Sequence, residues 1–183
     1  MENYEKNRDA IKKDVETFLN MHVQSMLDCH IISQELNNAG FPGFAMQFTR
    51  QSNDEYFHQR RITDFLQNKP GFEVYSFTQP VINKFDAVTP QKALQAWIQI
   101  RTNLINAANN FRENARQLGD ETTSNFYSWF LQDGFDEIEE ASDLLNRLDM
   151  PSCDLARFDL KADGSPEPDR DNVINPMGAF VPD

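Results

Sequence analysis

The chain has 183 residues, of which 39% are hydrophobic and 25% charged, and its formal net charge at pH 7 is −12. This length allows one domain with a sizeable core, and the acidic excess disfavours nucleic acid as a partner because phosphate binding needs clustered Lys and Arg. No apolar run approaches the roughly 20 residues that cross a bilayer, so we expect no membrane partner. The amino terminus lacks an export signal and two cysteines are too few for a disulfide scaffold. We therefore expect a reduced cytoplasmic protein.

Helical periodicity predicts two long helices in the first part of the chain. Apolar residues recur at helical spacing over residues 7–38, and the sequence Gly40-Phe41-Pro42-Gly43 then predicts a turn. A second helix is predicted over residues 43–68. The next twenty residues, 69–88, contain two prolines and mixed β-branched and aromatic side chains, which indicate an extended crossing segment.

Capping residues predict the remaining elements. Thr89 and Pro90 are typical of an N-cap and a first helical position, so a third helix is expected from there to Leu118, with Gly119 ending it. Asp120 would cap a fourth helix that continues to about Asp149. A short amphipathic piece follows at residues 153–162. We therefore expect a helical bundle over residues 1–162 and an irregular or disordered tail over residues 163–183.

The long crossing segment predicts how the four helices connect. About twenty extended residues can travel the length of a ~25-residue helix, because an extended chain rises ~3.3 Å per residue and a helix ~1.5 Å. The second and third helices would then run parallel, as in a four-helix bundle with one long crossover.

Glu55 and His58 form a Glu-x-x-His step inside the second predicted helix. Residues three apart lie on one helix face, so a carboxylate and an imidazole at this spacing can point at one metal ion inside a bundle. A solvated charged face is the alternative for a single such step.

Longer stretches carry a family resemblance. The segment from Gly43 through Glu55 and His58 to Leu66, the fourth helix from Asn125 to Leu148, and the LARFDLK segment at residues 155–161 resemble helices of bacterial non-haem ferritins. The resemblance covers about residues 10–162. It implies an all-α ferritin-like four-helix bundle with a short fifth helix, self-association into a multi-subunit shell, and iron binding and storage.

The di-iron oxidation centre that the resemblance implies is incomplete. Glu55 and His58 match it, but His22 and Arg101 stand where the family has glutamates on the first and third helices, and the fourth-helix pair reads Gly134 and Glu137. A guanidinium is always protonated and cannot bind a metal. No Asp or Glu occurs between Thr89 and Phe111, so a shifted register does not restore the missing ligand.

A neighbouring set of acids matches the third iron position of such ferritins. Asp54, Asp133 and Asp136, with Glu137 shared, keep an acid at each matching position. Asp133, Asp136 and Glu137 share one helix face and can offer oxygen ligands to a hard cation. A solvated acidic face is the alternative.

These observations predict an iron-binding storage protein with impaired or absent di-iron chemistry, in which Glu55, His58 and Glu137, with His22 as a further candidate, hold at most one metal. Haem is not expected, because Tyr56 occupies the position of the axial methionine in haem-binding relatives. The alternative is a metal-independent structural or interaction protein that can co-assemble with an active ferritin, with Arg101 bridging Glu55 and Glu137. A DNA-protecting mini-ferritin is disfavoured because no basic arm is present.

Overall fold

The computed structural model describes the backbone of residues 2–162 and the side chains of residues 7–159, and this part of the chain is helical without strands. The elements are α1 (Glu2–Asn38), α2 (Pro42–Asn68), α3 (Pro90–Gln117), α4 (Glu121–Leu148) and α5 (Leu155–Ala162). The all-α prediction is confirmed. Helix α1 begins earlier than the expected position near Asn7, since the charged residues before it carry no apolar periodicity to mark a helix. The predicted tail, residues 163–183, lies outside the described residues.

The predicted caps form at α3 and α4. The Thr89 side chain accepts a hydrogen bond from the Lys92 amide at 3.3 Å, and the Asp120 carboxylate accepts one from the Thr123 amide at 3.0 Å. Gly119 ends α3 with φ at +81°, a left-handed conformation that glycine adopts without steric cost. The caps at Thr89 and Asp120 and the glycine at position 119 therefore determine where α3 begins, where it ends and where α4 begins.

The crossover between α2 and α3 runs along α1 in the same direction as α1. Its early part contacts Asn20, which accepts from the Thr78 amide at 2.7 Å, and its late part contacts Glu35, which accepts from the Ala87 amide at 2.6 Å. The chain therefore returns to the end of the bundle where α2 began. Helices α2 and α3 are parallel, as the length of the crossover predicted.

Two hydrophobic clusters are separated along the bundle by a layer of buried polar side chains. The clusters are centred on Phe18, Ile62 and Tyr127 in one half and on Ile32, Phe48 and Trp97 in the other. On each long helix the polar residues fall between the residues of the two clusters. The buried members of this layer are His22, Ser25, Asp28, Glu55, His58 and Arg101.

Helix α5 packs on the amino-terminal end of α2. The Asp159 carboxylate, 5% exposed, accepts hydrogen bonds from the amides of Gly43 at 3.2 Å and Phe44 at 2.9 Å. The rings of Phe44 and Phe158 stack with centroids 6.1 Å apart. A residue 115 positions away in sequence thus caps α2, whose own N-cap position, Phe41, has no capping side chain. Within the described residues no helix is both long and apolar enough to span a membrane.

Candidate metal centre

Glu55 lies at the centre of the polar layer with 1% of its surface exposed. Its Oε1 accepts hydrogen bonds from Ser25 Oγ and from Arg101 Nη1, both at 2.8 Å. Its Oε2 accepts from His22 Nδ1 at 2.6 Å and lies 3.3 Å from His58 Nδ1. One carboxylate oxygen therefore meets a hydroxyl and a guanidinium, and the other faces two imidazoles.

Arg101 joins α3 to acids on two other helices. Besides Glu55 on α2, its Nη2 donates to Asp133 Oδ2 at 3.1 Å and forms an ion pair with Glu137, both on α4. The residue is 2% exposed. The sequence-based expectation that Arg101 bridges Glu55 and Glu137 is confirmed. The Arg101 guanidinium is permanently positive and has no lone pair to offer a metal, and it occupies the side of the cluster nearest α3 and α4.

The two histidines differ in their partners. His58 Nε2 lies 3.2 Å from Asp133 Oδ2 and 3.5 Å from Asp54 Oδ2, so both its ring nitrogens face carboxylates. His22 contacts Glu55 through Nδ1 only, and its Nε2 is buried without a hydrogen-bond partner. Because a carboxylate only accepts, the proton of the His22–Glu55 contact lies on Nδ1, which leaves Nε2 as an unused lone pair.

The protonation states follow from burial and from these partners. Burial lowers the pKa of His22 to about 4 against the influence of Glu55, so this imidazole is neutral at pH 7. Burial acts in the same direction on His58, but hydrogen bonds to Asp133 and Glu55 outweigh it and raise the pKa of His58 to about 9. Burial also opposes the charge of Glu55, yet His22, Arg101 and His58 hold the pKa of Glu55 well below its usual range.

The predicted group of acids is only partly assembled. Asp54 and Asp133 meet at His58, and Asp133 and Glu137 meet at Arg101. Asp136 is exposed on α4 and accepts a hydrogen bond from Gln132 at 2.9 Å. The structure therefore brings three of these acids to the polar layer and leaves Asp136 on the outer face of its helix.

Gly134 makes room for Ile105, which packs against it from α3, and lies near Arg101. A Cβ atom at Gly134 would lie 2.8 Å from Ile105 Cγ1 and 3.8 Å from Arg101 Nη2. The guanidinium carbon of Arg101 also lies 5.3 Å from the centroid of the Trp97 ring, in a cation–π contact. Sequence reasoning treated Gly134 only as one half of the fourth-helix pair and missed its packing against Ile105, which favours a glycine there.

Two further residues of the site were missed by sequence reasoning. Ser25 follows His22 by three positions and Trp97 precedes Arg101 by four, which are the spacings of one helix face. That spacing was a usable signal, but only once His22 and Arg101 were known to point inward.

The cluster has candidate metal ligands on one side and a guanidinium on the other. His22, Glu55 and His58 each offer a ligand atom, and these atoms lie within 4.8 Å of one another with all three residues buried. The opposite side of the cluster, where a second ion would need ligands, contains the Arg101 guanidinium paired with Asp133 and Glu137. The cluster therefore offers three candidate ligands on its α1–α2 side and a fixed guanidinium on its α3–α4 side.

Comparison with known proteins places this geometry in context. The family model described as the ferritin-like domain matches residues 13–150, and no curated protein matches the chain. An open-pore ferritin from the hyperthermophilic archaeon Archaeoglobus fulgidus is similar in structure, with a TM-score of 0.74 and 20% identity over 84% of this chain and 94% of its own.

Two other solved ferritin structures are also similar to this chain. A humanized archaeal ferritin has a TM-score of 0.80 and 18% identity over 87% of this chain and 98% of its own. The ferritin of M. penetrans has a TM-score of 0.74 and 18% identity over 85% of this chain and 94% of its own. At these identities the structural likeness shows a shared fold.

Proposed function

The chain belongs to the ferritin-like domain family, and from that premise we propose that it is an iron-storage subunit that self-associates into a shell and does not carry out di-iron oxidation itself. Ferrous iron is then the cargo, and the cytoplasm is the expected compartment. Neither nucleic acid nor a membrane is an expected partner.

The observation that carries this proposal is the burial of Arg101 among Glu55, Asp133 and Glu137. Di-iron oxidation requires two metal ions held by shared carboxylates so that both can give electrons to one oxygen molecule. Arg101 neutralises the carboxylates that would hold the second ion and repels that ion. A guanidinium cannot be deprotonated to relieve this repulsion.

Iron storage in the absence of that centre is supported by family membership and by charge. The formal net charge of −12 attracts cations. Asp54, Asp133 and Glu137 are partly exposed at the edge of the polar layer, with side-chain exposures of 26%, 27% and 12%. Together with the exposed Asp136 they are the groups that we propose attract ferrous iron to the α2–α4 face.

Aerobic addition of ferrous iron to the purified chain tests the oxidation part of the proposal. With two irons per subunit, we expect no rapid phase in either the ferric absorbance or the uptake of oxygen. Arg101→Glu supplies a carboxylate on α3 and should oxidise iron faster than Arg101→Gln, which removes the charge without adding a ligand. Rapid iron oxidation by the unmodified chain would overturn the proposal. Equal oxidation rates for the two variants would show that the missing carboxylate at position 101 is not what prevents oxidation.

The storage part is tested separately by particle size and iron retention. Size-exclusion chromatography and negative-stain microscopy should show a hollow multi-subunit particle that retains iron after loading. A monomer or dimer that leaves the iron to precipitate would contradict storage.

The ion pairs of Arg101 also favour a second candidate function. Since the guanidinium neutralises the buried acids without a metal, the chain can serve as a metal-independent structural subunit that co-assembles with an active ferritin. Metal analysis of the purified protein separates the two candidates. Bound metal that is lost in Glu55→Ala argues against the structural role, and a metal-free particle that incorporates an active ferritin argues for it.

A further inference from the structure

We propose that residues 173–181, here called the tail segment, pair as an added strand with the outer edge of the crossover of the same chain. The part of the crossover that receives them is residues 74–82, here called the crossover strip. This contact goes beyond iron storage, because it lies within one chain and requires neither a shell nor a metal. The tail segment lies outside the described residues, and what is known of it is its sequence.

The crossover strip is an uncharged and exposed stretch of the surface. None of its nine residues is charged. Four of its apolar side chains are each more than half exposed: Val74, Phe77, Val81 and Ile82. Exposed apolar groups gathered along one segment are typical of an interaction site. The strip therefore suits a partner that is itself apolar and uncharged.

Helix α1 holds only the inner edge of the strip. The Asn20 carboxamide accepts a hydrogen bond from the Thr78 amide at 2.7 Å and donates one to the Ser76 carbonyl at 3.2 Å. A residue of a neighbouring strand would make the same two contacts. Because backbone groups alternate between the two edges of an extended segment, those of Phe77 face away from α1.

Gln24 repeats this contact one helical turn later. It accepts from the Val81 amide at 2.7 Å and donates to the Val81 carbonyl at 2.8 Å, so the backbone of Ile82 also faces outward. Within the described residues, no hydrogen bond reaches the backbone of Phe77 or Ile82. An unpaired edge of this kind is a template on which another extended segment can add as a strand.

The tail segment is within reach of the strip. Helix α5 ends at Ala162, and its Phe158 packs against the same hydrophobic cluster as Phe85 of the crossover. From Phe85 back to Ile82 an extended chain covers about 10 Å, whereas the ten residues 163–172 can span about 33 Å. The tail segment would then run antiparallel to the crossover, and it has nine residues, as the strip does.

The sequence of the tail segment is suited to an edge strand. It carries no charge, and its larger apolar residues are Val173, Ile174, Met177, Phe180 and Val181. Pro176 and Pro182 have no N–H, but both are even-numbered, so in an extended segment both face the same edge. The odd-numbered amides therefore remain available to the crossover, and the prolines lie on the outer edge, where strands tolerate them.

Charge favours the crossover over the α2–α4 face as the docking surface. Residues 163–172, which lead to the tail segment, contain four acidic residues and one Arg. The acidic α2–α4 face would repel them. At the late end of the crossover, the exposed Lys84 and Lys92 balance the charges of Asp86 and Glu35. The connecting residues therefore meet no such repulsion on the path to the strip.

A photo-crosslinking side chain in the tail segment of the full-length chain tests where that segment lies. With Phe180→p-benzoylphenylalanine, we expect crosslinks to residues 74–82. A preparation that mixes isotopically heavy and light chains shows whether each crosslink joins a chain to itself. Crosslinks between copies, crosslinks to another surface, or the lack of any crosslink would overturn the proposal.

Hydrogen exchange of the unmodified chain and of charge variants tests the backbone pairing. The Phe77 amide should exchange about tenfold or more faster in Ile174→Asp than in the unmodified chain. Ser165→Asp is the matched control, since it adds the same charge before the tail segment and should leave the exchange unchanged. Equal exchange in Ile174→Asp and the unmodified chain would overturn the proposal, also where a second copy covers the strip. A shell that stores iron but gives this result would leave the storage proposal intact.

Discussion

Arg101 on α3 donates a hydrogen bond to Glu55 on α2 at 2.8 Å, and neither residue is more than 2% exposed. This pair crosses the bundle between its two hydrophobic clusters. Burying opposite charges is favourable only when each has its partner and the remaining polar atoms are satisfied. The pair links α3 to α2 across the bundle and places a permanent cation in the buried polar layer.

Removal of the guanidinium should strongly destabilise the metal-free chain. In Arg101→Leu, the carboxylates of Glu55, Asp133 and Glu137 lose their shared cation, and breaking such a buried pair costs about 3–5 kcal/mol. Urea unfolding followed by circular dichroism measures the change. Arg101→Lys keeps the charge and should lose less, whereas equal stability of Arg101→Leu and the unmodified chain would show that Arg101 does not neutralise these acids.

The metal-free chain should lose stability as the pH rises from neutrality to above about 9. The pKa of His58 is raised from 6.5 to about 9 in the folded state, so its charged form stabilises the fold fully below pH 6.5 and ceases to do so as the pH passes 9. Thermal unfolding with a chelator present, between pH 6 and pH 10, measures this. His58→Gln should flatten the profile and His30→Gln should not; a profile unchanged in His58→Gln would refute the assignment.

Gly134→Ala should destabilise the bundle by about 1–3 kcal/mol, as overpacking of a core usually does. The added Cβ would lie 2.8 Å from Ile105 Cγ1, which belongs to a β-branched side chain whose χ1 rotation is restricted in a helix. Ile105→Ala should relieve the clash, so the double variant should be more stable than the sum of the two single effects predicts. Strict additivity in denaturant unfolding would contradict this contact.

Gly43→Ala should detach α5 from α2, because a Cβ atom there would overlap the backbone carbonyl of Asp159. The two hydrogen bonds from the Gly43 and Phe44 amides to Asp159 would be lost, at a cost of roughly 1–3 kcal/mol. Limited proteolysis should then cleave near α5. Gly40→Ala is the control: it has φ at +89° and nothing within 4 Å, so it should cost about 1–2 kcal/mol without exposing α5.

Much of the fold could be predicted from local signals. The caps at Thr89 and Asp120 and the glycine at position 119 determine helix ends through contacts within a few residues, and those signals are complete in the sequence. The parallel arrangement of α2 and α3 followed from the length of the crossover alone. The capping of α2 by Asp159 was not predictable, because it depends on two segments that meet only after the bundle has folded.

The candidate site, too, could be predicted only in part from the sequence. Glu55 and His58 were identified from their spacing, and Arg101 from the resemblance to ferritins. Their spacing could not show that Glu55 presents one oxygen to Arg101 and the other to two histidines, nor that Asp136 lies apart on the exposed face of α4.

The sequence by itself determined that the chain forms long amphipathic helices with one long crossover and that Arg101 stands in a stretch without Asp or Glu, because periodicity, capping and residue identity are local properties. The tertiary structure alone decided where the charges meet. A salt bridge between α2, α3 and α4 depends on side-chain directions over a few ångströms, which the packing of Gly134 against Ile105 and the two hydrophobic clusters sets.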